Sequence, residues 1–145
     1  MPSAWALRLR SLLNLGLSTG AKGEAAAAKY LKRKGYRILA RNLRNRYGEI
    51  DLLAEAPDQR TLVIVEVKSA VREAGQLGNG AVDELAPEHR VGRAKQHKIT
   101  ALASQIVRRY GLGDRPVRFD VVGVSLISNG QVDIRHYPGA FEATI

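Results

Sequence analysis

The sequence predicts an α/β fold, a central mixed β-sheet flanked by helices, in one domain over residues 20–145 behind a short N-terminal extension at 1–19. Three observations carry this. The element order reads helix, strands, helix, strands, which packs as layers around one sheet. The β-branched runs at 61–69 and 117–127 are too apolar to face water on both sides. No internal repeat or low-complexity tract interrupts residues 20–140.

Residues 1–23 contain no acid but carry Arg8, Arg10 and Lys22. A short leading helix with Trp5, Leu9 and Leu12 on one face, or a loosely held arm, is expected there. Residues 21–34 then read as a helix rich in Ala, Leu and Lys, closed by Gly35 as a left-handed cap. Its inward stripe is Glu24, Ala28 and Leu31, away from the Lys29, Lys32, Arg33 face. A short strand follows at 36–42, and strict alternation marks a second at 49–55. The turn Pro57, Asp58, Gln59, Arg60 leads into the most strand-like segment, 61–69. Gly75, Gly78 and Gly80 break the pattern, so 70–87 is expected to be a loop. Ile99, Leu102, Ala103, Ile106, Val107 and Tyr110 follow helical spacing within a second helix at 90–110. A strand at 117–127 turns at Asn129 and Gly130, a strong hairpin signal, into a last strand at 131–137.

The chain of 145 residues has no cysteine, which excludes disulfides, a thiolate nucleophile and Cys-ligated metals. Its 23 Lys and Arg against 14 Asp and Glu give a net charge of +9, a field that attracts polyanions. No stretch reaches the roughly 18 apolar residues of a membrane span, so a cytoplasmic protein without a membrane partner is expected.

The hairpin between the two central strands places the chemistry. A turn centred on Asp58 and Gln59 pairs 57 with 60, 56 with 61 and therefore Asp51 with Glu66, on one face with Cβ atoms about 4.5–5.5 Å apart. Lys68 shares that face. Ile50, Leu52 and Ala54 against Val63, Val65 and Val67 form the other, a core face. Two opposed carboxylates repel unless a cation compensates them, and Mg²⁺ typically takes one or two carboxylates and leaves room for water and phosphate. Spacing alone leaves two readings, a metal site or an ion-pair cluster neutralised by Lys68.

Charge placement favours the first. Between Ala25 and Gly48 there is no acid, while Lys29, Lys32, Arg33, Lys34, Arg37, Arg41, Arg44 and Arg46 supply eight positive charges. Arg90, Arg93, Lys95, Lys98, Arg108 and Arg109 form a second acid-free block. Carboxylates flanked by basic runs suit a nuclease, with cations for the phosphate backbone and acids for a metal. Glu49 is a minor ligand candidate by alternation, and Asp120 reads as a structural partner for a nearby Arg. His89, His97 and His136 lack metal-ligand spacing.

Gly23-Glu24 with Ala28 and Leu31, Asn42, Gly48-Glu49-Ile50-Asp51-Leu52, Val65-Glu66-Val67-Lys68, Lys95-Gln96 with Lys98, and Arg118-Phe119-Asp120-Val121-Val122 together resemble the YraN family over residues 20–142. That family looks like a branch of the PD-(D/E)XK nuclease superfamily, similar to archaeal Holliday junction resolvases. The resemblance implies a restriction-endonuclease-like core. It implies that Asp51, Glu66 and the Val67 carbonyl hold Mg²⁺ or Mn²⁺, that Lys68 is the catalytic lysine, and that Glu24 is a helix-borne acid completing the metal site, holding a metal-bound water or a second ion. Lys95 and Gln96 match helix positions that face the site in related nucleases. Ile50 stands where the superfamily name has Pro, and the 75–90 loop is longer than usual.

The expected function is metal-dependent hydrolysis of phosphodiester bonds in DNA, branched DNA included. Glu24, Asp51, Glu66 and Lys68 converge at one edge of the sheet, and Arg41, Arg44, Arg46, Lys95, Gln96 and Lys98 contact nucleic acid. A homodimer is an allowed assembly. The rivals are a nucleic-acid-binding module that keeps the fold without cutting, and a structural subunit assembled through the N-terminal segment.

Overall fold

A computed structural model describes residues 19–46, 48–74 and 92–141. Helix α1 spans Thr19–Arg33, followed by strands β1 (Arg37–Asn45), β2 (Gly48–Glu55) and β3 (Leu62–Arg72). Helix α2 (Arg93–Arg109) precedes β4 (Val117–Ile127) and β5 (Val132–Phe141). The sheet order is β1-β2-β3-β4-β5, with β3 and β4 parallel and the other pairs antiparallel. This mixed sheet with a helix on each face is the α/β architecture that the sequence predicts, and it fits a restriction-endonuclease-like core.

Each helix seals one face. Ala27, Ala28 and Leu31 of α1 lie fully buried on Leu52, Ala54, Val63, Val65, Val122 and Val124. Small residues on the helix let it sit close to the branched side chains of the strands. Across the sheet, Ile99, Leu102, Ala103 and Ile106 of α2 pack on Ala40, Ile50, Leu53, Ile64, Phe119 and Val121. Tyr110, expected to extend that stripe, is past the end of the helix and 55% exposed.

Two glycines set how α1 enters and leaves. Gly35 adopts φ 90° after the helix, where Tyr36 N–H donates to the Leu31 carbonyl at 3.0 Å, so the chain reverses into β1 with its last carbonyls satisfied. At the other end Gly23 is buried against β3. A Cβ on it would lie 1.7 Å from Ser69 Oγ, so only glycine permits this approach, and it brings Glu24 to the strands.

The strands run longer than expected. β1 extends to Asn45, β3 to Arg72 and β5 to Phe141. Residues 70–72, expected to be loop, stay paired with Ser125, Leu126 and Ile127 in the parallel ladder. The β2–β3 register is the expected one, from Glu55 opposite Leu62 to Leu52 opposite Val65. Pairing ends there, one step before Asp51 and Glu66. Beyond it Ile50 packs in the α2 layer with Leu53 and Ile64, not in the α1 layer with Leu52 and Ala54 as alternation predicts. The strands part here: β2 leaves the β3 ladder at Asp51, whose carboxyl takes a β3 backbone N–H. The leading segment and most of the glycine-rich loop lie outside the described residues.

Candidate active site

Where β2 and β3 part, the ladder gives way to a polar gap between the strands. Asp51 Oδ2 accepts the Val67 N–H at 2.8 Å, so the carboxyl stands in for the strand that has turned away. Glu66, on the same face of β3 as Ile64, points under the first turn of α2 and is only 8% exposed. Its Oε1 accepts from Lys95 Nζ of α2 and lies 3.3 Å from Lys68 Nζ. Glu24, carried to the strands by the Gly23 approach, is hydrogen-bonded by the side chain of Asn42. Asn42 adopts φ 51°, a left-handed conformation that Asn tolerates better than most residues.

These groups share one electrostatic environment. Burial, reinforced by the charge of Glu66 beside it and of Glu24 further off, pushes the Asp51 carboxyl up to about 7 against the opposing Val67 N–H. Burial also raises Glu24, with Glu49 and Glu66 adding to the effect while Asn42 and Arg44 oppose it. Burial alone would lower Lys95, yet its contact with Glu66 overrides that and raises it. Glu24, Asp51, Glu66 and Lys68 therefore converge. They do so between two interior strands, not at an edge of the sheet as expected, because the strands separate there.

Among the described residues no three His, Asp or Glu side chains already form a metal cage. The donor set nonetheless fits a hard divalent ion. Asp51 and Glu66 are hydrogen-bond neighbours, and two carboxylates with remaining positions for water and phosphate are what Mg²⁺ takes. Ammonium groups already on Glu66 mark the place where positive charge is needed. Glu49, the minor candidate, pairs instead with Arg44 at 3.0 Å.

The basic residues divide. Arg44 is exposed in β1, and Arg46 and Lys98 are exposed where the β1–β2 connection meets α2. That junction is tied by Asn45 Nδ2 donating to Gln105 Oε1 at 2.9 Å, and a Cβ on Gly48 would lie 3.8 Å from Lys98 Cβ. Arg41 is half-buried in β1. Gln96 is half-buried on α2, its carbonyl accepting from Thr100 Oγ1 at 2.7 Å. Lys95, expected to bind nucleic acid, is held by Glu66. Sequence spacing gives no sign of that pairing, because it depends on how α2 crosses β3.

A second charged centre lies nearby on β4. Asp120 is 1% exposed and accepts from Arg118 Nε and Nη2, at 2.8 and 2.9 Å. It is also 2.7 Å from His136 Nε2 and accepts the Gly139 N–H at 3.0 Å. Arg118 also donates to the Tyr36 hydroxyl at 2.7 Å. Burial would raise this carboxyl, but His136, Arg118 and Gly139 together hold it below the usual range. The structural role expected of Asp120 matches this arrangement, and His136, which the sequence leaves without a partner, completes it.

Residues 23–124 match the model of a family described as uncharacterised protein family UPF0102. A UPF0102 protein of Symbiobacterium thermophilum is 43% identical over 124 residues, 86% of this chain and 96% of that protein. One from Geobacter sulfurreducens is 42% identical over 123 residues, covering 85% and 88%. One from Pelobacter propionicus is 39% identical over 125 residues, covering 86% and 83%. Among solved structures, Pyrococcus furiosus SfsA in complex with Ca²⁺ is similar at 18% identity and a TM-score of 0.30, over 92% of this chain and 64% of that one. That likeness is too distant to bear on fold or function.

Proposed function

We propose that this chain, which belongs to the uncharacterised protein family UPF0102, the YraN family, is a metal-dependent nuclease that hydrolyses phosphodiester bonds in DNA. The observation that carries the reading is the buried Asp51–Glu66 pair, two adjacent carboxyl groups of which Glu66 holds both ammonium groups while Asp51 is pushed up by burial and by Glu66. Asp51, Glu66 and the Val67 carbonyl would hold Mg²⁺ or Mn²⁺. When bound, the ion supplies charge stabilisation at the phosphoryl oxygens and a lowered pKa for water.

The chain's own residues do the rest. Lys68, fixed on β3 beside Glu66, donates to and orients the water that attacks phosphorus in line with the departing 3′ oxygen; the attacking water gives its proton to bulk solvent, and the 3′ oxygen takes one from it. Glu24, steadied by Asn42, accepts from a second water on the far side of the carboxylate pair. Arg44, Arg46 and Lys98 meet the phosphate backbone beside the gap and fix the strand's position without reading sequence.

The test is cleavage of branched, flapped and linear DNA with Mg²⁺ or Mn²⁺, comparing the wild-type chain with Asp51→Asn and Lys68→Ala. Ion-dependent cleavage should vanish in Asp51→Asn and fall by about 10²–10⁴-fold in Lys68→Ala. DNA binding that survives with no cleavage under either ion would leave a binding module that keeps the fold.

A further inference from the structure

The described residues place two lysines on one carboxylate oxygen, and they differ in how firmly they are held. Lys68 belongs to a strand paired in register with β4, where it faces Gly123, and its side chain is 27% exposed. Lys95 sits in the first turn of α2 and its side chain is 43% exposed, although the Glu66 side chain it touches is only 9% exposed. The first turn of α2 contains no acid, so a cation there faces the positive end of the helix. A lysine is therefore unfavourable at that position except for its attraction to Glu66 and Asp51. Its flexible four-carbon stem can carry the ammonium away without moving the helix.

We propose that Lys95 is a displaceable counterion of Glu66, which occupies the carboxylate until a divalent cation takes its place and then turns to a backbone phosphate of the nucleic acid. The inference rests on the metal-dependent reading above. In the ion-free protein Lys95 limits the repulsion between Asp51 and Glu66. An arriving cation must break a charge-assisted hydrogen bond to reach Glu66. The released ammonium then lies on the same helix as the exposed Arg93 and Lys98, a row of cations open to a phosphate backbone from solvent. Because one side chain is exchanged between the two ligands, cation and nucleic acid each strengthen binding of the other by the same factor.

Two measurements without turnover test this. Free Mn²⁺ is followed by electron paramagnetic resonance while it is titrated into the wild-type chain, Lys95→Met, Lys95→Gln and Glu66→Gln, each checked for folding by its thermal melt. Affinity for a fluorescent DNA duplex is then measured with and without Ca²⁺ for the wild type and both Lys95 variants. Mn²⁺ should bind the Lys95 variants about tenfold more tightly than the wild type, and Glu66→Gln should lose binding. The gain in duplex affinity on adding Ca²⁺ should shrink several-fold in both Lys95 variants. Mn²⁺ binding that depends on Glu66 but is unchanged or weaker without Lys95, or an unaltered Ca²⁺ gain, would overturn the exchange and leave the metal site standing. No Mn²⁺ binding by any variant would remove the metal reading and the exchange with it.

Discussion

Asp120 and the Asp51–Glu66 pair are buried carboxyl centres on neighbouring strands of one sheet, and the protein treats them in opposite ways. Asp120 receives a guanidinium fork, an imidazole and a backbone N–H, and its carboxyl is held below the usual range. Asp51 receives one backbone N–H and a second carboxyl, and is pushed up to about 7. Both are desolvated, so burial does not separate them. What separates Asp120 from Asp51 is that the fold aims cations at the first, whereas near the second its two ammonium groups rest on Glu66. A fully paired buried charge specifies structure, whereas an underpaired one is a place for a ligand.

The sharpest way to break this contrast is to remove each carboxylate. Asp120→Ala leaves Arg118 and His136 facing a hole and should cost about 3–5 kcal/mol of stability, the range for a buried pair that loses one partner. At pH 4, where Asp51 is protonated in the fold, Asp51→Asn should change stability by less than about 1 kcal/mol, because the Asn Oδ1 can still accept the Val67 N–H. Urea unfolding of both variants without divalent ions gives the comparison. Equal losses would make the Asp51 cluster as structural as the Asp120 one.

Gly23→Ala separates the centres by position. The new Cβ would meet Ser69 Oγ, so α1 must lift from β3 and take Glu24 with it. Overpacking of this kind costs about 1–3 kcal/mol. Cleavage should fall while the Asp120 network stays intact, and adding Ser69→Gly should recover part of both losses. A double-mutant cycle with no coupling would show that the close approach does not position Glu24.

The two centres should also titrate with opposite sign. Asp120 has a folded value below its ordinary 3.8. Its stabilisation is fully present above 3.8 and is lost as pH falls through the folded value. Asp51 is raised from 3.8 to about 7, so the native state holds a proton that the unfolded chain has released. Its contribution is present below 3.8 and is lost as pH rises from there to about 7. Ion-free stability measured across pH 4–7 should therefore decline less in Asp51→Asn than in the wild type. Mn²⁺ binding near pH 6 should release a proton, which calorimetry in buffers of different ionisation heat detects. A wild-type profile unchanged by Asp51→Asn would mean that Asp51 is already ionised.

Which parts of this were legible in the sequence follows from the range of the forces involved. The Asp51–Glu66 juxtaposition needs only the turn at Asp58 and Gln59 and the period of a strand, both local, and the observed register runs as expected to Leu52 and Val65, one step short of it. The α2 core face was equally readable from its spacing, up to Tyr110, where the helix has already ended. The flip of Ile50 was not readable, because it follows from Asp51 replacing a backbone partner on another strand. Lys95 on Glu66 and His136 on Asp120 were hidden for a related reason. Each joins residues far apart in sequence whose meeting depends on how a helix or a neighbouring strand lies on the sheet.

The smallest expected effect concerns the surroundings of the two centres. Exposed Arg44, Arg46 and Lys98 belong to β1, the β1–β2 connection and the face of α2 that meets it, whereas Arg135 of β5, 3.7 Å from Asp133, belongs to the strand that supplies His136 to Asp120. If nucleic acid approaches the underpaired centre, each of the first three neutralises a phosphate and releases a counterion. Changing one to alanine should then flatten the slope of log affinity against log salt by about 0.9 on duplex DNA. Arg135→Ala should leave the slope where it was. The reading is specific because total charge falls by one in all four variants, so only position distinguishes them. Equal changes in slope would mean that the net charge of +9 attracts DNA without orienting it, and would detach the basic surface from the Asp51–Glu66 gap.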